Sequence, residues 1–176
     1  SVDLAKSVQN VAEATVANLG SNSVGVLRGK GDGTFASANF YWVGSFPVSV
    51  AMGDLNRDGK PDLVVANYSA NTLSVLLGNG DGTFSTGSFY GTGNGPRSVA
   101  IGDLNEDGKL DLAVANYGAR SVSVLLGSGD GTFGAKSDYA AAQLPYSVAI
   151  GDLNGDGKPD FAVANVYSST GSVHLG

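Results

Sequence analysis

Short apolar runs alternate with polar clusters along the whole chain, and nowhere do they take up the 3.6-residue spacing of a long helix. Ser98 to Gly102 leads into β-branched residues, Leu112 to Ala115 is a second apolar run, and Val122 to Leu126 alternates with serine. A fourth strand is expected from about Phe133 to Ala140. Gly, Asn, Asp and Ser fill the gaps, which is how strands are punctuated. The Asp-Gly within Gly129-Asp130-Gly131-Thr132-Phe133 suits a hairpin turn, because both residue types tolerate positive φ.

This unit repeats. Ser49 to Asn56 recurs as Ser98 to Asn105 and as Ser147 to Asn154, each time 49 residues on. Gly31 to Phe35, Gly80 to Phe84 and Gly129 to Phe133 keep the same offset, and Val-Ala-Asn ends at Asn18, Asn67, Asn116 and Asn165. The 176 residues therefore hold about three and a half units, near residues 1–46, 47–95, 96–144 and 145–176, in one domain spanning 1–176. Four strands and their loops fit the length of a propeller blade. The expected fold is all-β, a β-propeller of four-stranded antiparallel blades, and βαβ architectures are excluded. The ends are irregular. Leu4, Val8, Val11 and Thr15 are spaced to line one face of a short helix, with Asp3 as its cap. The chain reaches Gly176 after the third strand of the last unit, without the outer fourth.

Composition narrows the chemistry. The 27 glycines match a chain full of tight turns, and the absence of cysteine removes disulfides and thiol chemistry. The net charge of −6 and the lack of any Lys/Arg cluster argue against nucleic acid. No apolar run is long enough to span a membrane as a helix. The chain begins at Ser1 rather than Met, as a processed or excised product would.

The acid is concentrated. Ten of the sixteen carboxylates, nine of them aspartates, lie in three loops: Asp54 to Asp62, Asp103 to Asp111 and Asp152 to Asp160. Oxygen-bearing side chains occupy loop positions 1, 3, 5 and 9: Asp54, Asn56, Asp58 and Asp62; Asp103, Asn105, Asp107 and Asp111; Asp152, Asn154, Asp156 and Asp160. Glycine stands at position 6, and the backbone carbonyls of Lys60, Lys109 and Lys158 at position 7 offer a further oxygen. Ca2+ takes about six to eight hard oxygen ligands in a flexible shell, whereas Zn2+ prefers Cys and His. Three calcium sites per chain are expected, and three ions would cancel the formal charge of −6. An EF-hand would need Glu at position 12, where this chain has Val65, Val114 and Val163 inside strands. At the first unit Ala5, Ser7, Gln9 and Glu13 replace the ligand set. Leucine recurs at position 2 and is expected to anchor each loop in the core.

Phe133-Gly134 followed by Ser147-Val148-Ala149-Ile150-Gly151-Asp152-Leu153-Asn154-Gly155-Asp156-Gly157 resembles the FG-GAP (VCBS-type) repeat. That repeat builds the integrin α-subunit propellers and several secreted bacterial and fungal propellers, lectins among them. The resemblance implies calcium in the loop between the first two strands of a blade, a secreted or cell-surface location, and a binding or adhesion role. Such propellers commonly have seven blades. Two chains of 176 residues hold about 7.2 units, so a homodimer completing a propeller is expected.

Strand alternation places the remaining loops on the opposite face, with Tyr68, Arg97, Tyr117, Arg120, Tyr146 and Trp42 as candidate contacts for a carbohydrate or protein ligand. Tyr41, Tyr90 and Tyr139 share one repeat position and are expected to pack. Asp32, Asp81 and Asp130 read as turn residues, Glu106 as a solvated position, and the lone His174 as packing or exposed. No nucleophile–base set assembles around His174, so the chain is expected not to be an enzyme. A polysaccharide-acting enzyme domain and a purely structural or engineered fragment are the rival readings. Asn67-Tyr68-Ser69 is also a glycosylation sequon.

Overall fold

The computed structural model describes residues 2–6, 12–167 and 170–176. Among the described residues there is no helix, and all regular structure is β. The first sheet holds β1 (Val2–Lys6), β2 (Ala12–Asn18), β3 (Ser23–Arg28) and β4 (Asn39–Trp42), hydrogen-bonded in that order. The second holds β5 (Pro47–Gly53), β6 (Asp62–Asn67), β7 (Thr72–Leu76) and β8 (Ser88–Gly91). The third holds β9 (Pro96–Gly102), β10 (Asp111–Asn116), β11 (Ser121–Leu125) and β12 (Ser137–Ala140). The fourth has three strands: β13 (Pro145–Gly151), β14 (Asp160–Asn165) and β15 (Thr170–His174). Every pairing is antiparallel, as short loops between consecutive strands require.

The second strand of each unit is apolar on both faces because a sheet covers each side. On β6, Leu63 and Val65 meet Val24, Val26 and Val43 of the first sheet. Val64 and Ala66 meet Val99, Leu112, Val114 and Leu125 of the third. Ala113 and Ala115 of β10 continue the stack onto Val148, Phe161 and Val163 of the fourth. β5 lies beside β9, and β9 beside β13, so the first strands of successive sheets converge along one line.

A proline opens β5, β9 and β13, where its missing N–H is tolerated, and the register shifts beside Pro47, Pro96 and Pro145. The preceding residue is left-handed in each case: Phe46 at φ 58°, Gly95 at 65° and Leu144 at 55°. Asn22 Oδ1 accepts the Phe46 N–H at 3.0 Å, and Asn71 Oδ1 accepts the Gly95 N–H at 2.8 Å. These bonds tie the first sheet to the second and the second to the third.

Two expectations need correction. Val2–Lys6 is a strand, with Leu4 opposite Ala14, and not the start of a helix. The edge of β2 carries backbone donors and acceptors that β1 satisfies, as β5 does for β6. Val8 and Val11 lie outside the described residues. The fourth strand of the third unit starts at Ser137, while Phe133 makes only an isolated bridge to Gly127. The Gly-Asp-Gly turn closes a hairpin too short to propagate. The tyrosines at the shared repeat position do pack edge-on: Tyr41 on Phe84, Tyr90 on Phe133 and Tyr139 on Phe161, with centroids 5.5, 5.4 and 6.1 Å apart.

Candidate functional site

The three acidic loops join β5 to β6, β9 to β10 and β13 to β14, all at the same end of their sheets. Each turns through left-handed residues at loop positions 4 and 6: Arg57 and Gly59, Glu106 and Gly108, Gly155 and Gly157. Glycine at position 6 is free of the Cβ clash that this backbone imposes on other residues.

The side chains organise the turn from within. Asp54 Oδ1 accepts the Asp58 N–H at 3.1 Å, and its Oδ2 accepts the Gly59 N–H at 2.9 Å. Asn56 Oδ1 also takes the Asp58 N–H, and Asp58 Oδ1 takes that of Lys60 at 2.9 Å. Asp103, Asn105 and Asp107 repeat this pattern, with Gly108 N–H 2.7 Å from Asp103 Oδ2. In the third loop, Asp152 takes the N–H groups of Gly155 and Gly157, Asn154 that of Asp156, and Asp156 that of Lys158.

Position 9 differs. Asp62, Asp111 and Asp160 are fully buried at the start of the second strand. Asp62 Oδ2 accepts the Leu55 N–H and Oδ1 the Gly78 N–H, both at 2.8 Å. Asp111 likewise holds Leu104 and Gly127, and Asp160 holds Leu153 and Gly176. One carboxylate thus clamps the loop to the segment following the third strand. Burial raises the Asp62 pKa, the two N–H bonds oppose the rise, and the negative charges of Asp58 and Asp54 add to it.

Among the described residues no three His, Cys, Asp or Glu side chains are grouped tightly enough to hold an ion as they stand. The oxygens at positions 1, 3 and 5 are turned onto backbone N–H groups. The position-5 carboxylate is also drawn to a lysine ammonium, Asp58 to Lys60 at 3.2 Å and Asp107 to Lys109 at 2.9 Å. The Lys109 side chain and then its backbone N–H hold the Asp107 pKa below its ordinary value. Sequence reading assigned these lysines only a backbone carbonyl, so the ammonium is an addition. The donor set itself fits calcium. It is all oxygen and is built on one loop in each of three sheets, and in the first of these loops the buried Asp62 carboxylate is destabilised by the negative charges of Asp58 and Asp54, which a divalent cation would relieve. The recurrent leucine anchors only where a further sheet covers it: Leu55 and Leu104 pack in the core, and Leu153 is exposed.

At the opposite end the structure brings four of the six ligand candidates together. The Arg97 guanidinium lies 4.2 Å from the Tyr146 ring centroid and 5.9 Å from that of Tyr68, and donates to the Tyr146 hydroxyl. Tyr68 continues to Tyr117 at 6.5 Å and to Phe46 at 6.0 Å. Trp42 stands apart at the end of β4, beside Phe40 and Ser21. Arg120 sits in the β10–β11 turn at φ 54°, and no ring contact joins it to the cluster among the described residues. Sequence reading missed Phe46. Its left-handed position before Pro47, matched by Gly95 and Leu144, is the signal that could have located it.

Outside these sites, Asp32, Asp81 and Asp130 each accept the N–H and hydroxyl of the threonine two residues on, as turn residues do. His174 stacks on Phe161 with centroids 4.6 Å apart. Asn67 is fully buried and bonded to Thr72 and Ser74, so the folded chain does not present its sequon.

The FG-GAP-like repeat family matches the chain three times, over residues 13–65, 54–114 and 103–163. No curated protein matches the sequence. Among solved structures, a Bacteroides uniformis protein provisionally assigned as a 6-phosphogluconolactonase aligns at TM-score 0.72 and 17% identity, covering 97% of this chain and 51% of its own. BBS1N in complex with ARL6DN aligns at 0.63 and 13%, covering 93% and 50%. The V. cholerae biofilm matrix protein Bap1 aligns at 0.58 and 14%, covering 93% and 23%. The likeness is one of fold, and the chain spans about half the length of the first two.

Proposed function

The chain belongs to the FG-GAP-like repeat family, and from that premise we propose that it is a calcium-binding segment of a β-propeller that serves as a ligand-binding or adhesion module outside the cell. The carrying observation is the set of three loops, each with Asp, Asn, Asp and Asp at positions 1, 3, 5 and 9 and the last carboxylate buried. Asp54, Asn56, Asp58, Asp62 and the Lys60 carbonyl would hold one ion, and their counterparts in the other two loops the rest. Calcium supplies positive charge there and cross-links the loop; it carries no chemical step. The role is one of binding and not of catalysis.

The propeller reading is supported by sheets stacked face to face with their first strands side by side. Stacking leaves two faces open. Leu55 is 2% exposed and its counterpart Leu153 is 52%; Val75 is 2% and its counterpart Val173 is 55%. At the other end Trp42 is 79% exposed and Phe35 is uncovered where Phe84 is buried. In the homodimer reading, the last sheet of one copy docks on the first sheet of the other, repeating an interface that the chain makes internally. Light scattering at micromolar concentration should then give a mass near twice 17.7 kDa, and a 17.7 kDa species would refute the dimer.

Calcium binding is tested by thermal unfolding in EDTA and in excess Ca2+. Ion at 100 times the dissociation constant adds about 2.7 kcal/mol per site. An unchanged midpoint would sink the calcium reading.

A further inference from the structure

We infer that the groove where β5, β9 and β13 converge binds a carboxylate-bearing sugar, with the Arg97 guanidinium pairing to the carboxylate; this rests on the reading of the chain as a ligand-binding module and names the ligand class. The groove encloses about 370 Å3, within the range of about 300–1,000 Å3 usual for small-ligand pockets.

Its lining divides into a constant frame and a variable set. Ser49, Ser98 and Ser147 occupy one repeat position on the three adjacent strands and present a row of hydroxyls. Ser98 Oγ already accepts the Val148 N–H at 3.3 Å, which leaves its own hydrogen to donate. The residue just before each serine differs from unit to unit: Val48, Arg97 and Tyr146. A purely structural position would be served by the same residue three times, as the serines are.

Arg97 is the charge. Among the described residues no Asp or Glu lines the groove, in a protein whose acids outnumber its Lys and Arg by 16 to 10. Among the described residues all three ion pairs use lysine, and none uses Arg97. Its guanidinium is held over Tyr146 and near Tyr68 and spends one donation on the Tyr146 hydroxyl. The rest of the planar fork matches a carboxylate, and being held in place reduces the ordering cost of pairing with one. Phe46 and Tyr146 add exposed rings at the rim, on which the C–H face of a pyranose can lie while its hydroxyls reach the serine row. The combination of one cation, ring faces and a hydroxyl row suits an acidic saccharide better than an acidic peptide, which has neither the C–H faces for the rings nor the run of hydroxyls for the serines.

The test is a 1H–15N titration of the calcium-loaded chain with trigalacturonate, in parallel with neutral maltotriose and with acetyl-Gly-Glu-Gly amide. Trigalacturonate is expected to shift the amides around Ser98 and Tyr146 saturably. Arg97→Gln should weaken it about tenfold or more, as loss of a charge-assisted hydrogen bond does, and Arg97→Lys should fall between. The dispersion of the same 1H–15N spectra shows that the variants are folded, and calcium stoichiometry measured separately keeps this test distinct from the calcium reading. Absence of trigalacturonate shifts, equal affinity for maltotriose, tighter binding of the peptide, or an unchanged affinity in Arg97→Gln would each overturn the inference, whatever the ion count.

Discussion

Replacing Asp62 by alanine separates the two jobs given to the position-9 carboxylate. Its oxygens hold the Leu55 and Gly78 N–H groups at 2.8 Å in a fully buried setting. Without them two buried donors lose their partner, at about 1–3 kcal/mol each, so the metal-free chain should lose about 2–6 kcal/mol. That is a large share of the 5–15 kcal/mol by which domains of this kind are commonly stable. In calcium at 100 times the dissociation constant, loss of the site should cost about 2.7 kcal/mol more. Asp58→Ala provides the contrast. Asp58 is partly exposed and makes a turn bond and a surface ion pair with Lys60, which solvent screening makes a minor contribution without metal. Its cost should therefore appear almost entirely in calcium. Urea unfolding of both variants, in EDTA and in Ca2+, gives the four values needed. An Asp62→Ala change below about 0.5 kcal/mol in EDTA would refute the clamp, since an unpaired buried donor costs more than that.

Other changes test other parts of the account. Asp107→Ala should remove one ion from a calorimetric titration and leave two, because each loop is complete within its own unit. Leu55→Ala should cost about 2–5 kcal/mol in urea unfolding as a core truncation, whereas Leu153→Ala should act mainly on the mass seen by light scattering. Gly93→Ala would place a Cβ 2.7 Å from the buried Asn116 amide carbon, so a loss of about 1–3 kcal/mol is expected. The side-chain and backbone bonds from Thr83 and Thr132 hold Asp81 and Asp130 below their ordinary pKa of 3.8. A carboxyl lowered in the folded state lends stability above its unfolded value and loses it as pH falls through the folded value. A Thr83→Val, Thr132→Val double variant should accordingly flatten the stability–pH profile below pH 3.8.

The repeat made most of this legible. Equal spacing of Val-Ala-Asn and Gly-Asp-Gly-Thr-Phe set the strands of the second and third sheets to within a few residues, because each unit presents the same problem of burying two faces. The pairing of β1 was hidden, since Leu4, Val8 and Val11 satisfy a helical spacing and only a waiting strand edge decides otherwise. The acidic loops were legible as donor sets, yet nothing local showed that the position-9 carboxylate would reach Gly78 across sixteen residues. The contact of Arg97 with Tyr146 had a signal that went unused. The two stand one repeat apart on strands that lie side by side.

The central claim is that the three loops bind calcium, and counting the ions tests it most directly. Calorimetric titration of the EDTA-stripped and dialysed chain with CaCl2 should report three ions per chain, falling to none when Asp58, Asp107 and Asp156 are all replaced by alanine. No binding heat in the unsubstituted chain, or three ions retained by the triple variant, would contradict the account.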